Sequence, residues 1–133
     1  MKNVDEFIEN MVHIDFLEDE ECYGHYPFQM FVEKEDGTHD INALALGGDV
    51  ESCYKRATEY KQNNAKKIYL SLDFGCGGDI IHDFIAIFSF ENGVVSIVAI
   101  SYDIKNGKKF ETITNSTHLN KIKGDFEYYL FKK

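Results

Sequence analysis

Apolar side chains recur at Val4, Phe7, Ile8, Met11 and Val12, the three-and-four spacing that lines one face of a helix. Asn3 followed by Glu6 has the form of a capping box, so a short amphipathic helix is predicted over residues 3–12. From Phe28 to Lys34 and from Asp40 to Leu46 the chain is apolar or β-branched, and Glu35-Asp36-Gly37-Thr38 supplies a turn between the two. An antiparallel hairpin follows. Asp49 precedes Val50, Cys53, Tyr54 and Ala57, which predicts a capped helix ending near Asn63-Asn64. Ile68, Leu70, Leu72 and Phe74 then alternate with Tyr69, Ser71 and Asp73, the period of a strand with one strongly apolar face.

The runs Phe84–Phe90 and Val94–Tyr102 are continuously apolar and meet at Asn92-Gly93, a dipeptide that favours the tightest hairpin turn. They read as central strands. Asn106-Gly107 marks another turn before a short strand at Lys109–Ile113. Thr117 is placed to cap a last helix through Leu119 and Ile122, which Gly124 is expected to interrupt ahead of an aromatic tail over 125–133 containing Phe126, Tyr128, Tyr129, Leu130 and Phe131. The order α-β-β-α-β-β-β-β-α describes an α+β fold: a single layered domain over 1–133, with a mostly antiparallel sheet of about six strands and helices packed on it. No internal repeat interrupts it.

Composition agrees with a single core, since 133 residues that are 44% hydrophobic and 28% charged suffice for one domain. Charge adds more. Twenty-three acidic residues against fourteen basic ones give −9, which excludes an unaided grip on nucleic-acid phosphates. The charge is also uneven: residues 1–51 carry 14 Asp/Glu and 2 Lys, a balance of −12, and residues 52–133 carry 9 Asp/Glu and 12 Lys/Arg, a balance of +3. No stretch has the roughly 20 apolar residues of a membrane span, and Met1–Glu6 has no apolar secretory core, so the chain reads as cytoplasmic. Cys22, Cys53 and Cys76 make an odd set without a C-x-x-C, and imply neither a disulfide framework nor a zinc knuckle.

The densest acidic stretch, Asp15-Phe16-Leu17-Glu18-Asp19-Glu20-Glu21, is expected to be an exposed loop, because like charges repel along any regular element. Phe16, Leu17, Tyr23 and Tyr26 set apolar anchors among these charges. Aromatic anchors within a charged rim suit protein recognition, so Asp15, Glu18, Asp19, Glu20, Glu21, Tyr23 and Tyr26 are the candidate partner-binding residues. The partner would be a basic protein, and the chain an inhibitor or regulator of it. A nucleic-acid mimic of the anti-defence type carried by small phage proteins is one form of this reading, by analogy of size and charge.

Gly-Gly-Asp occurs twice, at 47–49 and 77–79. If the strand ending at Leu46 and the strand ending at Phe74 were parallel neighbours joined by the intervening helix, both turns would face one crevice. Gly47, Gly48, Asp49, Asp73, Gly77, Gly78, Asp79 and His82 are therefore the candidate ligand-binding residues, with Asp83 beside them. Oxygen ligands of this kind suit a hard divalent cation or a nucleotide-like ligand, although no spacing matches an established metal motif and no other cofactor is implied. The plainer role of Asp49 and Asp79 is to cap or turn the backbone. Cys76 in its glycine turn, with His82 nearby, has the placement of a nucleophile and base but acidic neighbours that oppose a thiolate. No phosphate-loop, dinucleotide-binding or kinase motif set is present, and the five histidines include no i, i+4 pair. The aromatic tail is the candidate surface for a homodimer.

Overall fold

The computed structural model describes residues 3–13, 28–43, 49–103 and 110–132. Three helices, α1 (Val4–His13), α2 (Val50–Gln62) and α3 (Thr117–Leu130), combine with six strands: β1 (Gln29–Glu33), β2 (His39–Ala43), β3 (Lys67–Phe74), β4 (Phe84–Glu91), β5 (Val94–Ser101) and β6 (Glu111–Ile113). The element order and the α+β class are those the sequence predicts. The acidic run 15–21, Tyr23, Tyr26, Gly47, Gly48 and the turn at Asn106-Gly107 lie outside the described residues.

Strand order in the sheet is β2-β1-β3-β4-β5-β6, and every neighbouring pair is antiparallel. One expectation is corrected here. β2 and β3 do run in the same direction, but β1 lies between them and hydrogen-bonds to both, so they are not neighbours. The β1–β2 hairpin takes the position beside β3, and α2 must cross over β1. At the β4–β5 turn both Asn92 (φ +53°) and Gly93 (φ +76°) have positive φ, the geometry a two-residue hairpin loop needs to match the strands' twist.

Helices cover both faces of the sheet. On one, Cys53, Tyr54 and Ala57 of α2 and Leu119, Ile122, Phe126 and Leu130 of α3 pack on Met30, Leu70, Leu72, Ala86 and Phe88. On the other, Phe7 and Met11 of α1 meet Phe31, Tyr69, Ile85, Ile87 and Ile100. Residues of β3 therefore alternate between two cores rather than between core and solvent, and Phe84–Phe90 of β4 is buried throughout. That accounts for the continuous apolar runs. Within the α1 layer, Ser71 is fully buried and its hydroxyl donates to the Met11 sulfur at 3.4 Å.

Two helix boundaries differ from expectation. Ser116, not Thr117, caps α3, its hydroxyl accepting from Leu119 N–H at 3.2 Å. Gly124 does not interrupt α3, which continues to Leu130 because Ile122 before the glycine and Phe126 and Leu130 after it are all buried. Burial outweighs the roughly 1 kcal/mol that glycine costs within a helix. Part of the aromatic tail is thus the chain's own core: the Phe126 ring packs at a tilt against Phe88 with 4.7 Å between ring centres, while Tyr128 is 65% exposed. Phe126→Ala is expected to cost about 3–5 kcal/mol by cavity formation, and Tyr128→Ala no more than about 0.5 kcal/mol, both read from urea unfolding. Equal losses would contradict this division of the tail.

Candidate functional site

The second Gly-Gly-Asp turn lies in the loop between β3 and β4, where Gly77 and Ile80 exchange backbone hydrogen bonds of 2.9 Å in both directions. That turn projects Asp79 onto the start of α3. Its carboxylate accepts from the Ser116 hydroxyl at 2.6 Å, from Thr117 N–H at 2.9 Å and from His118 N–H at 3.1 Å. These donors, the Ser116 hydroxyl first, hold the Asp79 carboxyl down at about 2. Free N–H groups at a helix start favour an anion, and here the chain supplies its own from 37 to 39 residues away.

The glycines permit this closure. A methyl on Gly78 would stand 2.9 Å from the His118 Cβ, on a residue whose φ is +54°. A methyl on Gly77 would meet the His118 ring, which sits edge-on against Phe84 with 6.0 Å between ring centres. The loop, His118 and the α3 terminus form one joint. Asp83 ties the loop from its other end by accepting from Cys76 N–H at 3.0 Å, and Cys76 and His82 are both exposed.

The remaining aspartates of the sequence constellation are held elsewhere. Asp49 caps α2, accepting from Ser52 N–H at 2.6 Å, a bond that lowers its pKa. Asp73 stands on the α1 face of the sheet, opposite α2 and α3, and accepts the buried Tyr102 hydroxyl through both oxygens at 2.6 and 2.9 Å. Asp49 and Asp79 thus close the ends of two different helices, and Asp73 is on the other side of the sheet. Among the described residues no group of three or more His, Cys, Asp or Glu is placed to hold a metal ion.

The structure adds features that local patterns did not indicate. A depression of about 570 Å³ opens between the β1–β2 hairpin and the end of α2. Within it Asp40 accepts from the Tyr60 hydroxyl at 3.0 Å and pairs with Lys34 at 3.2 Å, and these two partners lower its pKa. A second depression, about 440 Å³, lies between the start of α2 and the second half of α3, walled by Val50, Tyr54, Tyr128 and Tyr129 with Glu51 and Asp125. Only contact between the two helices reveals this grouping.

The acidic residues of the first third do not all share one patch. Of the nine described, Asp5, Glu6 and Glu9 stand on the exposed side of α1, Glu33, Glu35, Asp36 and Asp40 belong to the β1–β2 hairpin, and Asp49 and Glu51 open α2. Lys34 pairs with Asp40, and Lys55 with Glu51 at 3.4 Å. No family model, curated protein or solved structure matches the chain. Among the described residues no helix is long and apolar enough to cross a membrane.

The joint at α3 predicts an acid-sensitive element of stability. The Asp79 carboxyl titrates at about 2 in the folded chain and near about 4 when unfolded, so its contribution is complete above about pH 4 and is lost as pH falls toward about 2. Asp79→Asn should lower the thermal midpoint by a few degrees at pH 7 and flatten its decline between about pH 4 and 2. Gly78→Ala should destabilise by more than about 1 kcal/mol, because positive φ and the His118 side chain, whose Cβ would be 2.9 Å away, both oppose the methyl. Wild-type acid profiles in Asp79→Asn would remove the carboxylate from this role.

Proposed function

We propose that this chain is a small acidic protein-binding module that docks on a basic protein partner as an inhibitor or regulator. Charge segregation carries the reading. From Asn3 to Glu33 the sequence holds nine carboxylates and no lysine or arginine. Three of the nine, Asp5, Glu6 and Glu9, are on the solvent side of α1, whose apolar side is occupied by Phe7 and Met11 against the sheet. The helix therefore has its inner face committed to the core and its outer face available.

The acidic run Asp15–Glu21 and the aromatics Tyr23 and Tyr26 follow α1 directly in sequence, which supports a contact surface made of the α1 outer face together with residues 15–26. Electrostatic complementarity of this kind raises the association rate and rejects acidic competitors. The alternative, an enzyme or sensor that binds a divalent metal or a small ligand at the two Gly-Gly-Asp turns, has less to support it, because Asp49, Asp73 and Asp79 are each engaged by the chain's own donors.

Changing Glu18, Asp19, Glu20 and Glu21 to Lys reverses four charges. Partner proteins captured from the native host by the wild-type chain and identified by mass spectrometry should then be lost, and the association rate of a purified partner should fall at least about tenfold at low ionic strength. Raising salt should weaken wild-type capture in the same direction. Capture that is indifferent to both the reversal and salt would end the proposal.

A further inference from the structure

Helices α2 and α3 are held side by side by tyrosines. Tyr54 packs at 5.2 Å from Phe126 and 5.7 Å from Tyr129, Tyr129 meets Tyr128 edge-on at 5.7 Å, and the Thr58 hydroxyl donates to the Tyr129 carbonyl at 3.0 Å. The result is the 440 Å³ depression with an aromatic wall and two carboxylates, Glu51 and Asp125, at its rim. Asp125 forms no ion pair among the described residues, and Glu51 pairs only with Lys55 on the surface, a kind of contact that contributes little. Both carboxylates act on the tyrosines: Glu51 accepts the Tyr129 hydroxyl, and together with Asp125 it opposes ionisation of that ring.

Neutral phenol rings beside carboxylates make a surface complementary to an organic cation, which gains from the ring face and from the charge together. Tyr128 already receives one, since the Lys132 ammonium lies 5.8 Å from its ring centre. We infer that the depression formed by Tyr54, Tyr128, Tyr129, Glu51 and Asp125 is a recognition site for an arginine side chain presented by a protein partner. Arginine fits better than lysine because its planar guanidinium can lie on the Tyr128 face while its fork of N–H groups reaches the carboxylate rim. The site is on the opposite face of the sheet from α1 and so goes beyond the docking reading. Its neighbour across Tyr129, a depression of about 320 Å³ lined by Lys55, Glu59 and Lys132 among others, sets an orientation: a partner's basic side chain enters on the Glu51–Asp125 side and an acidic one faces the lysines.

The test is an NMR titration of the full ¹⁵N-labelled chain with acetyl-Gly-Arg-Gly-amide, using the citrulline peptide as the uncharged control. Saturable shifts are expected at residues 50–54 and 125–129 with the arginine peptide and not with citrulline. Affinity should fall about three- to tenfold in Asp125→Asn and in Tyr128→Ala, both of which substitute exposed positions and can be checked for wild-type unfolding. The chain with Glu18, Asp19, Glu20 and Glu21 changed to Lys should retain the site. Shifts scattered over the acidic residues, or wild-type affinity in the Asp125→Asn, Tyr128→Ala double variant, would overturn the inference whatever the outcome for docking through the acidic run.

Discussion

Two-sided burial of an antiparallel sheet is the constraint from which the rest of this structure follows. An antiparallel sheet is able to leave one face to water, but here Phe84–Phe90 has no polar face to offer, apart from Ser89, and both sides must be covered. Two helices cover one side, and the ten residues of α1 contribute Phe7 and Met11 to the other. Because α1 is short and commits its apolar stripe to the sheet, its outer side is left to Asp5, Glu6 and Glu9. The acidity of the exposed layer is thus compatible with the fold at no cost to the core.

The α2/α3 layer depends on a second, smaller device. Helix α3 is not stitched to the sheet by apolar contacts alone: its first N–H groups are satisfied by Asp79 from the β3–β4 loop, and the loop reaches them only because Gly77 and Gly78 let it approach His118. The Asp79 carboxylate, read from the sequence as a candidate ligand, is instead an internal anion for a helix dipole. The same economy appears at Asp49 on α2 and at Asp73 under Tyr102. Aspartates that look like a ligand set in one dimension are three separate structural anchors in three.

Among the described residues, the two surfaces proposed for partners are the acidic outer side of α1, with Asp5, Glu6 and Glu9, and the aromatic seam between α2 and α3. They are separated by the sheet and built differently. The first is a matter of net charge and acts at a distance, subject to salt. The second depends on contact, and its tyrosines owe their placement to the burial of Tyr54 and Phe126 beneath them.

Much of this was legible in the chain itself. The helical stripe of α1, the alternation of β3, the Asn92-Gly93 turn and the Asp49 cap are all written in residues a few positions apart, because hydrogen bonds and side-chain periodicity in helices, strands and turns act over that range. Element order and fold class followed. What tertiary structure alone decided is which distant groups meet: that β1 lies between β2 and β3, that Asp79 caps a helix 38 residues later, that α3 runs through Gly124 because its neighbours are buried, and that Tyr129 lies against α2 across 71 residues. Such meetings are set by closure of the whole core, where burial outweighs local preference, and no short stretch of sequence carries that information.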